Sequence, residues 1–246
     1  MWEFSVMADV KNENAVSYIQ DKMKSTLLEF DGVYSYVKEN GSCSFSLGAA
    51  KEKSEEIKKK LTKVLCDAIC EKMKYNYLKE NVCVDILDNK MFETFLKVYT
   101  YFDIELEKAI AIRAICFPKC LNLESFLNFR LHKLKQKWQE LCFLTNTNAS
   151  VFLKSETFLD VLEFLISNLD YKHKKIVIDF QDGTICDSIE SSKKFLTKFV
   201  TDDIFDLLTK LVDLLPREIV VLNLFDEEKI HLLQNIFQNR AEFTKK

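Results

Sequence analysis

The stretch Lys174–Ile189, KKIVIDFQDGTICDSI, decides how the last third of the chain folds. It holds two short runs with strand character, KIVIDFQ and TICDSI, that meet at Asp182-Gly183. Asp-Gly is favoured at hairpin turns because both residues tolerate positive φ. Ile176, Ile178 and Phe180 then alternate along one face, which predicts a core-facing row. The expectation is a β-hairpin that marks where a helical middle yields to a small α/β end.

An apolar strand running into aspartates and Asp-Gly-Thr is also how haloacid-dehalogenase-type phosphatases begin. That chemistry needs a nucleophilic aspartate and a general acid two residues on, because side chains at i and i+2 of extended backbone share a face. Asp179 and Asp182 are three apart, which sends them to opposite faces. Starting the motif at Asp182 instead puts Thr184 in the acid's place. Too little chain follows Ile189 to supply the remaining phosphate-binding parts. The turn is therefore preferred, and a hydrolase built around the acidic hairpin 176–189 is the disfavoured alternative.

Working outward, four glycines and two prolines among 246 residues are few, which favours helices joined by polar loops over turn-rich sandwiches. Net charge is −3, so nothing in the bulk composition demands a nucleic acid or an anionic membrane. The opening MWEFSVMADVKNENAV lacks the basic and apolar regions of a signal peptide, and no apolar run reaches the length of a spanning helix. Eight cysteines without an export signal read as reduced thiols in a cytoplasmic protein.

The N-terminal part reads as a strand–helix–strand unit: EFSVMADV, then NAVSYIQDKMKSTLLEF, then the alternating GSCSFSLGA. A long helix spans Lys51 to about Glu80, with Ile57, Leu61, Val64, Leu65 and Ala68 as its buried stripe. One or two helices fill 85–117 up to Pro118. Asn122 is placed to cap another, whose Leu127, Leu131, Leu134, Trp138 and Leu141 form a single seam. Phe126 and Phe129 widen its buried face. TNTNAS (145–150) interrupts, and ETFLDVLEFLISNL is helical again.

After the hairpin come a polar stretch and the helix TDDIFDLLTKLVDLL, capped by Thr201 or Asp202. The strand REIVVLNLF, the helix EEKIHLLQNIFQ and a last short strand at RAEF follow. The predicted fold is α+β and mostly helical. Its parts are an α/β segment with a long helix (1–84), a helical middle (85–170) and a small α/β unit (171–246).

Candidate chemistry is sparse. Cys66 and Cys70 share a helix face, and Cys116 and Cys120 straddle Pro118 at the same spacing. Structural zinc sites favour knuckles with two intervening residues, so core thiols are expected and no metal. His132, His173 and His231 have no ligand-like spacing. The most suggestive patch is FRLHKLKQKW, where Arg130, Lys133, Lys135 and Lys137 lie beside aromatics. Nucleic-acid binding through the basic helix 124–142 is the alternative it raises, set against Lys133 and Lys137 as an ordinary solvated face.

The segment LNLESFLNFRLHKLKQKWQELCF resembles the central motif of the YtxC-like family, sporulation-associated proteins of endospore-forming bacteria. Asn122, Phe126, Phe129 and Arg130 match its (I/L)N-x-x-x-F-x-x-F-R entry. Pro216, Ile219, Ile236, Phe237 and Arg240 fall where that family has a P-x-x-I strand entry and an I-F-x-x-R helix end. The resemblance covers about residues 120–243. The chain ends AEFTKK, whereas family members often carry cysteines after the final strand. The resemblance implies a cytoplasmic sporulation protein and supplies no catalytic residues. The expectation is a non-catalytic interaction module with a protein partner and no cofactor. Phe126, Phe129, Arg130, Lys133 and Lys137 are its partner-binding or structural candidates: the phenylalanines pack, and Arg130 pairs with a buried carboxylate or holds a partner's anion.

Overall fold

In this computed structural model residues 1–84, 89–149, 155–169, 171–189 and 192–244 are described. The chain runs β1 (Trp2–Asp9), α1 (Glu13–Glu29), β2 (Val33–Glu39), β3 (Ser42–Ala49), α2 (Ser54–Asp67) and α3 (Lys74–Asn81). Next come α4 (Asn89–Tyr101), α5 (Ile104–Ala114), β4 (Cys120–Asn122), α6 (Leu123–Phe129), α7 (His132–Thr147) and α8 (Ser155–Ser167). The last third holds β5 (His173–Asp179), β6 (Thr184–Ile189), β7 (Ser192–Lys198), α9 (Ile204–Leu214), β8 (Pro216–Leu222), α10 (Glu227–Phe237) and β9 (Ala241–Thr244). The fold is α+β and mostly helical. Two compact units divide it: Met1–Val82 with Asp103–Asn146, and Cys83–Phe102 with Thr147–Lys246. The stretch 85–170 is thus shared between them.

The first unit is built on a four-stranded sheet in the order β2-β3-β1-β4. Strict alternation in β1 buries Phe4, Val6 and Ala8, which face Leu47, Phe45 and Cys43 across the antiparallel β1–β3 pair. Helix α1 lays Ala15, Val16, Ile19, Met23 and Leu27 against that sheet. The N-terminal part contains one strand more than the strand–helix–strand pattern predicts. β2 folds back on β3 through Asn40-Gly41, with φ of 49° and 80°, the positive pair that a two-residue hairpin turn requires. Its alternation is weak because it is an edge strand that buries none of its residues fully.

The long helix begins at Ser54 and its predicted stripe, Ile57 to Ala68, is buried. It does not stay α-helical. Residues Ala68–Met73 form a π-helical turn before α3. Across this turn the buried positions are Ile69, Cys70, Met73 and Lys74, followed by Leu78, so the buried face broadens here. Lys74 follows the widened turn directly and is buried in the core. Pro118 lies beyond the end of α5, which stops at Ala114, and β4 pairs parallel with β1. Asn122 caps α6 as expected, its Oδ1 accepting from the Ser125 N–H at 2.7 Å. The predicted single helix breaks at Arg130, and α7 then runs on to Thr147, through half of the expected interruption.

The second unit holds a five-stranded sheet in the order β7-β6-β5-β8-β9. Strands β5, β8 and β9 are parallel, and β6 and β7 complete an antiparallel meander. The predicted hairpin is the β5–β6 pair. Its loop is four residues, 180–183, so Phe180 leaves the core row of Ile176 and Ile178 and packs edge-on against Phe199 at 5.0 Å. Strand β7 was hidden in the polar stretch because its lysines suit an edge strand. Asp203, not Thr201 or Asp202, caps α9, accepting from the Phe205 and Asp206 N–H groups. Helix α4 zips onto α9 through Lys90–Asp203, Lys97–Asp213 and a Thr94–Thr209 hydroxyl pair.

Gly183 has φ +61°, and a Cβ there would lie 2.8 Å from the Phe199 carbonyl oxygen. Gly41 has φ +80° with open space around it. Gly183→Ala is therefore expected to lower stability by roughly 2 kcal/mol, and Gly41→Ala by clearly less. Denaturant midpoints of the two variants test this, and equal shifts would contradict the steric account.

Candidate functional site

The segment with the most suggestive sequence, α6–α7, is held from below by buried polar groups. Lys74 Nζ donates to Glu107 Oε1 at 2.9 Å and to Oε2 at 3.0 Å, and Trp138 Nε1 donates to the same Oε1 at 3.1 Å. Lys74 is 1% exposed, Glu107 3% and Trp138 0%. Burial pushes the Lys74 ammonium below the usual lysine range and the Glu107 carboxyl above the usual carboxylate range, each against the pull of the other. The pair links α3 to α5, and the indole ties α7 to both. Beside it, Lys108 bridges Asp67 at 2.6 Å and Glu71 at 2.8 Å, fixing α5 to α2 and the π-helical turn.

From this base the α6–α7 residues point two ways. Phe126 is buried, as are Leu127, Leu131, Leu134 and Trp138 of the seam. Beyond Trp138 the buried stripe drifts from Leu141 to Cys142 and Thr145. Phe129 does not pack: it is 78% exposed, because the break at Arg130 ends α6 before the seam can turn it inward. Arg130, Lys133 and Lys137 are also exposed, and among the described residues no carboxylate pairs with Arg130. Lys135 leaves the basic set. It is half-buried on the other side and donates to Asn128 Oδ1 at 2.7 Å.

That other side borders a polar cleft of about 430 Å³ between the β1–α1 corner, α3, α6 and α7. Glu124 lines it together with Asp9, Glu80 and the paired Lys11. The Asp9 N–H and Asn12 Nδ2 both donate to Glu124 Oε1, at 3.0 and 2.9 Å. Asn76 Nδ2 in turn donates to Asn12 Oδ1 at 2.9 Å and to the Lys11 carbonyl at 3.0 Å. Glu124 Oε2 is buried and has no hydrogen-bond partner among the described residues. Comparison of the chain with protein-family models, curated proteins and solved structures finds no match.

Other candidates take structural places. Cys66 and Cys70 are buried core thiols, and burial pushes the Cys66 thiol up to about 12. Cys116 and Cys120 are exposed, contrary to the core reading, because α5 ends before them and β4 is an edge. Among the described residues no three His, Cys, Asp or Glu side chains gather to hold a metal ion. His173 Nδ1 lies 2.8 Å from Asp187 Oδ2. Asp179 Oδ1 accepts from the Gln181 N–H at 3.0 Å and from Asn223 Nδ2 at 2.9 Å, so it clamps the turn to β8, while Asp182 is exposed. No helix among the described residues is long and apolar enough to cross a membrane.

Sequence reasoning passed over Glu124, Asn12 and Asn76, and with them the cleft. Glu124 lies one residue inside the capped start of α6, the one local signal that marked it. Lys74 and Glu107 carried no signal, since each is one charge among many on a helix. The buried pair makes a sharp prediction. Lys74→Met or Glu107→Leu alone should each cost about 3–5 kcal/mol, by stranding the other charge. The double variant should cost well below their sum. Denaturation followed by tryptophan fluorescence reads this, and additive costs would contradict the pairing.

Proposed function

We propose that this chain is a non-catalytic interaction protein that docks a protein partner on the outer surface of α6–α7. The observation that carries the reading is Phe129, 78% exposed and followed directly by exposed Arg130. A lone exposed phenylalanine is ordinary. This one is set beside three exposed cations, Arg130, Lys133 and Lys137, on a segment whose inner face is locked in place. Aromatic and arginine side chains on a rigid base are the usual anchors of a binding surface. The partner expected is an apolar notch rimmed by carboxylates. The resemblance of residues 120–243 to the YtxC-like family supports a cytoplasmic, sporulation-associated setting for it.

A nucleic acid would use the same cations, but Lys135 turns away from them and exposed Glu140 follows Lys137 by less than a turn. The protein reading is therefore preferred. The test is capture from extracts of sporulating cells, with and without nuclease treatment, using the wild type, Phe129→Ser and Arg130→Glu. A protein partner should be retained by the wild type and lost by about tenfold or more in each variant, with melting temperatures unchanged. Equal retention by all three, or signal that disappears with nuclease, would overturn the proposal.

A further inference from the structure

Strand β2 is an outer edge of the first unit's sheet, and among the described residues no strand pairs with its free side. Its sequence from Val33 to Val37 is VYSYV, which reads the same in both directions. We propose that this edge pairs with itself: two copies of the chain join β2 to β2, antiparallel, about a two-fold axis at Ser35, and so merge their sheets into one.

The first observation is that the edge is regular and unprotected. Sheets guard their edges with short strands, bulges, prolines or lysines. β2 has seven residues, pairs with β3 in unbroken register and contains no proline. Its one lysine, Lys38, lies outside the palindrome and is held by Glu13. Val33 is 64% exposed and Val37 43%, so the free edge carries apolar surface without a charge between them.

The second observation is the register. With Ser35 opposite its own copy, Val33 meets the other copy's Val37 and Tyr34 meets its Tyr36, each pair occurring twice by symmetry. Opposed residues share a face, so the valines meet on one side. The tyrosines meet on the other, where Tyr34 and Tyr36 lie beside Leu47 and Phe45 on the side covered by α1. Paired aromatic and β-branched side chains are the favourable cross-strand neighbours. A slip of one residue sends the faces apart. A slip of two sets Glu39 against Val33 in one direction and the turn residue Asp31 against Val37 in the other. One register alone therefore matches like with like, and only a second copy supplies this symmetric sequence. Two-fold pairing uses up the edge and closes the assembly as a dimer.

The test is sedimentation velocity of the full chain over a concentration series. A monomer–dimer equilibrium is expected, with a dissociation constant of about 100 μM or tighter, as suits a small interface. Ser35 is exposed in the single copy, so Ser35→Lys should leave the circular dichroism spectrum unchanged. By placing like charges opposite each other it should weaken the dimer about tenfold or more. The register is read by cross-linking with oxidised glutathione. Opposed residues lie about 4.5–5.5 Å apart between Cα atoms, within disulfide reach. Ser35→Cys should thus form a disulfide-linked dimer well above the wild type, whose exposed Cys83, Cys116 and Cys120 set the background. Val37→Cys should not, being about 13 Å from its own copy. The proposal is overturned by a chain that stays monomeric at about 1 mM, which leaves the edge to a foreign strand. Dimerisation of Ser35→Lys equal to the wild type, or linkage of Val37→Cys as ready as that of Ser35→Cys, overturns it too.

Discussion

A lysine and a glutamate buried together, with an indole N–H on the same carboxylate oxygen, set the terms for the first unit. Taking two charges out of water costs several kcal/mol each, so the Lys74–Glu107 pair is held only where its geometry is tightly defined. Three helices supply that geometry: α3 brings the ammonium, α5 the carboxylate and α7 Trp138. The π-helical turn at Ala68–Met73 leads directly into buried Lys74. Once α7 is fixed at Trp138, its outer side must carry Lys133 and Lys137, and its inner side must border the cleft through Lys135 and Gln139. One interaction thereby orients both surfaces with functional promise.

The two surfaces differ in kind. The outer one is apolar at Phe129 and basic around it, suited to a large partner that brings its own pocket. The inner one is concave and polar, lined by amides and by charges of both signs. The acidic hairpin that first invited a catalytic reading uses Asp179 to clamp β8 through Asn223.

Legibility in the sequence followed how local each signal was. The Asp182-Gly183 turn, the Asn122 cap and the Leu127-to-Trp138 seam were readable because each depends on a few neighbouring residues. Asn40-Gly41 was equally local and was passed over because β2, at an edge, lacks clear alternation. Strand β7 reads as a polar loop for the same reason. Phe129 misled because one irregular step at Arg130 shifts the helical phase, and periodicity assumes an unbroken helix. Lys74 and Glu107 meet across 33 residues of sequence, so only the folded structure brings them together.

The most direct test of this constraint is hydrogen exchange at the Trp138 indole N–H, followed by NMR alongside that of Trp2. If Trp138 donates to a buried carboxylate inside a locked three-helix junction, its proton should be among the slowest to exchange, released only when the unit opens globally. Exchange of Trp138 as fast as that of the less buried Trp2 would mean the junction is not closed, and the account of both surfaces would fail with it.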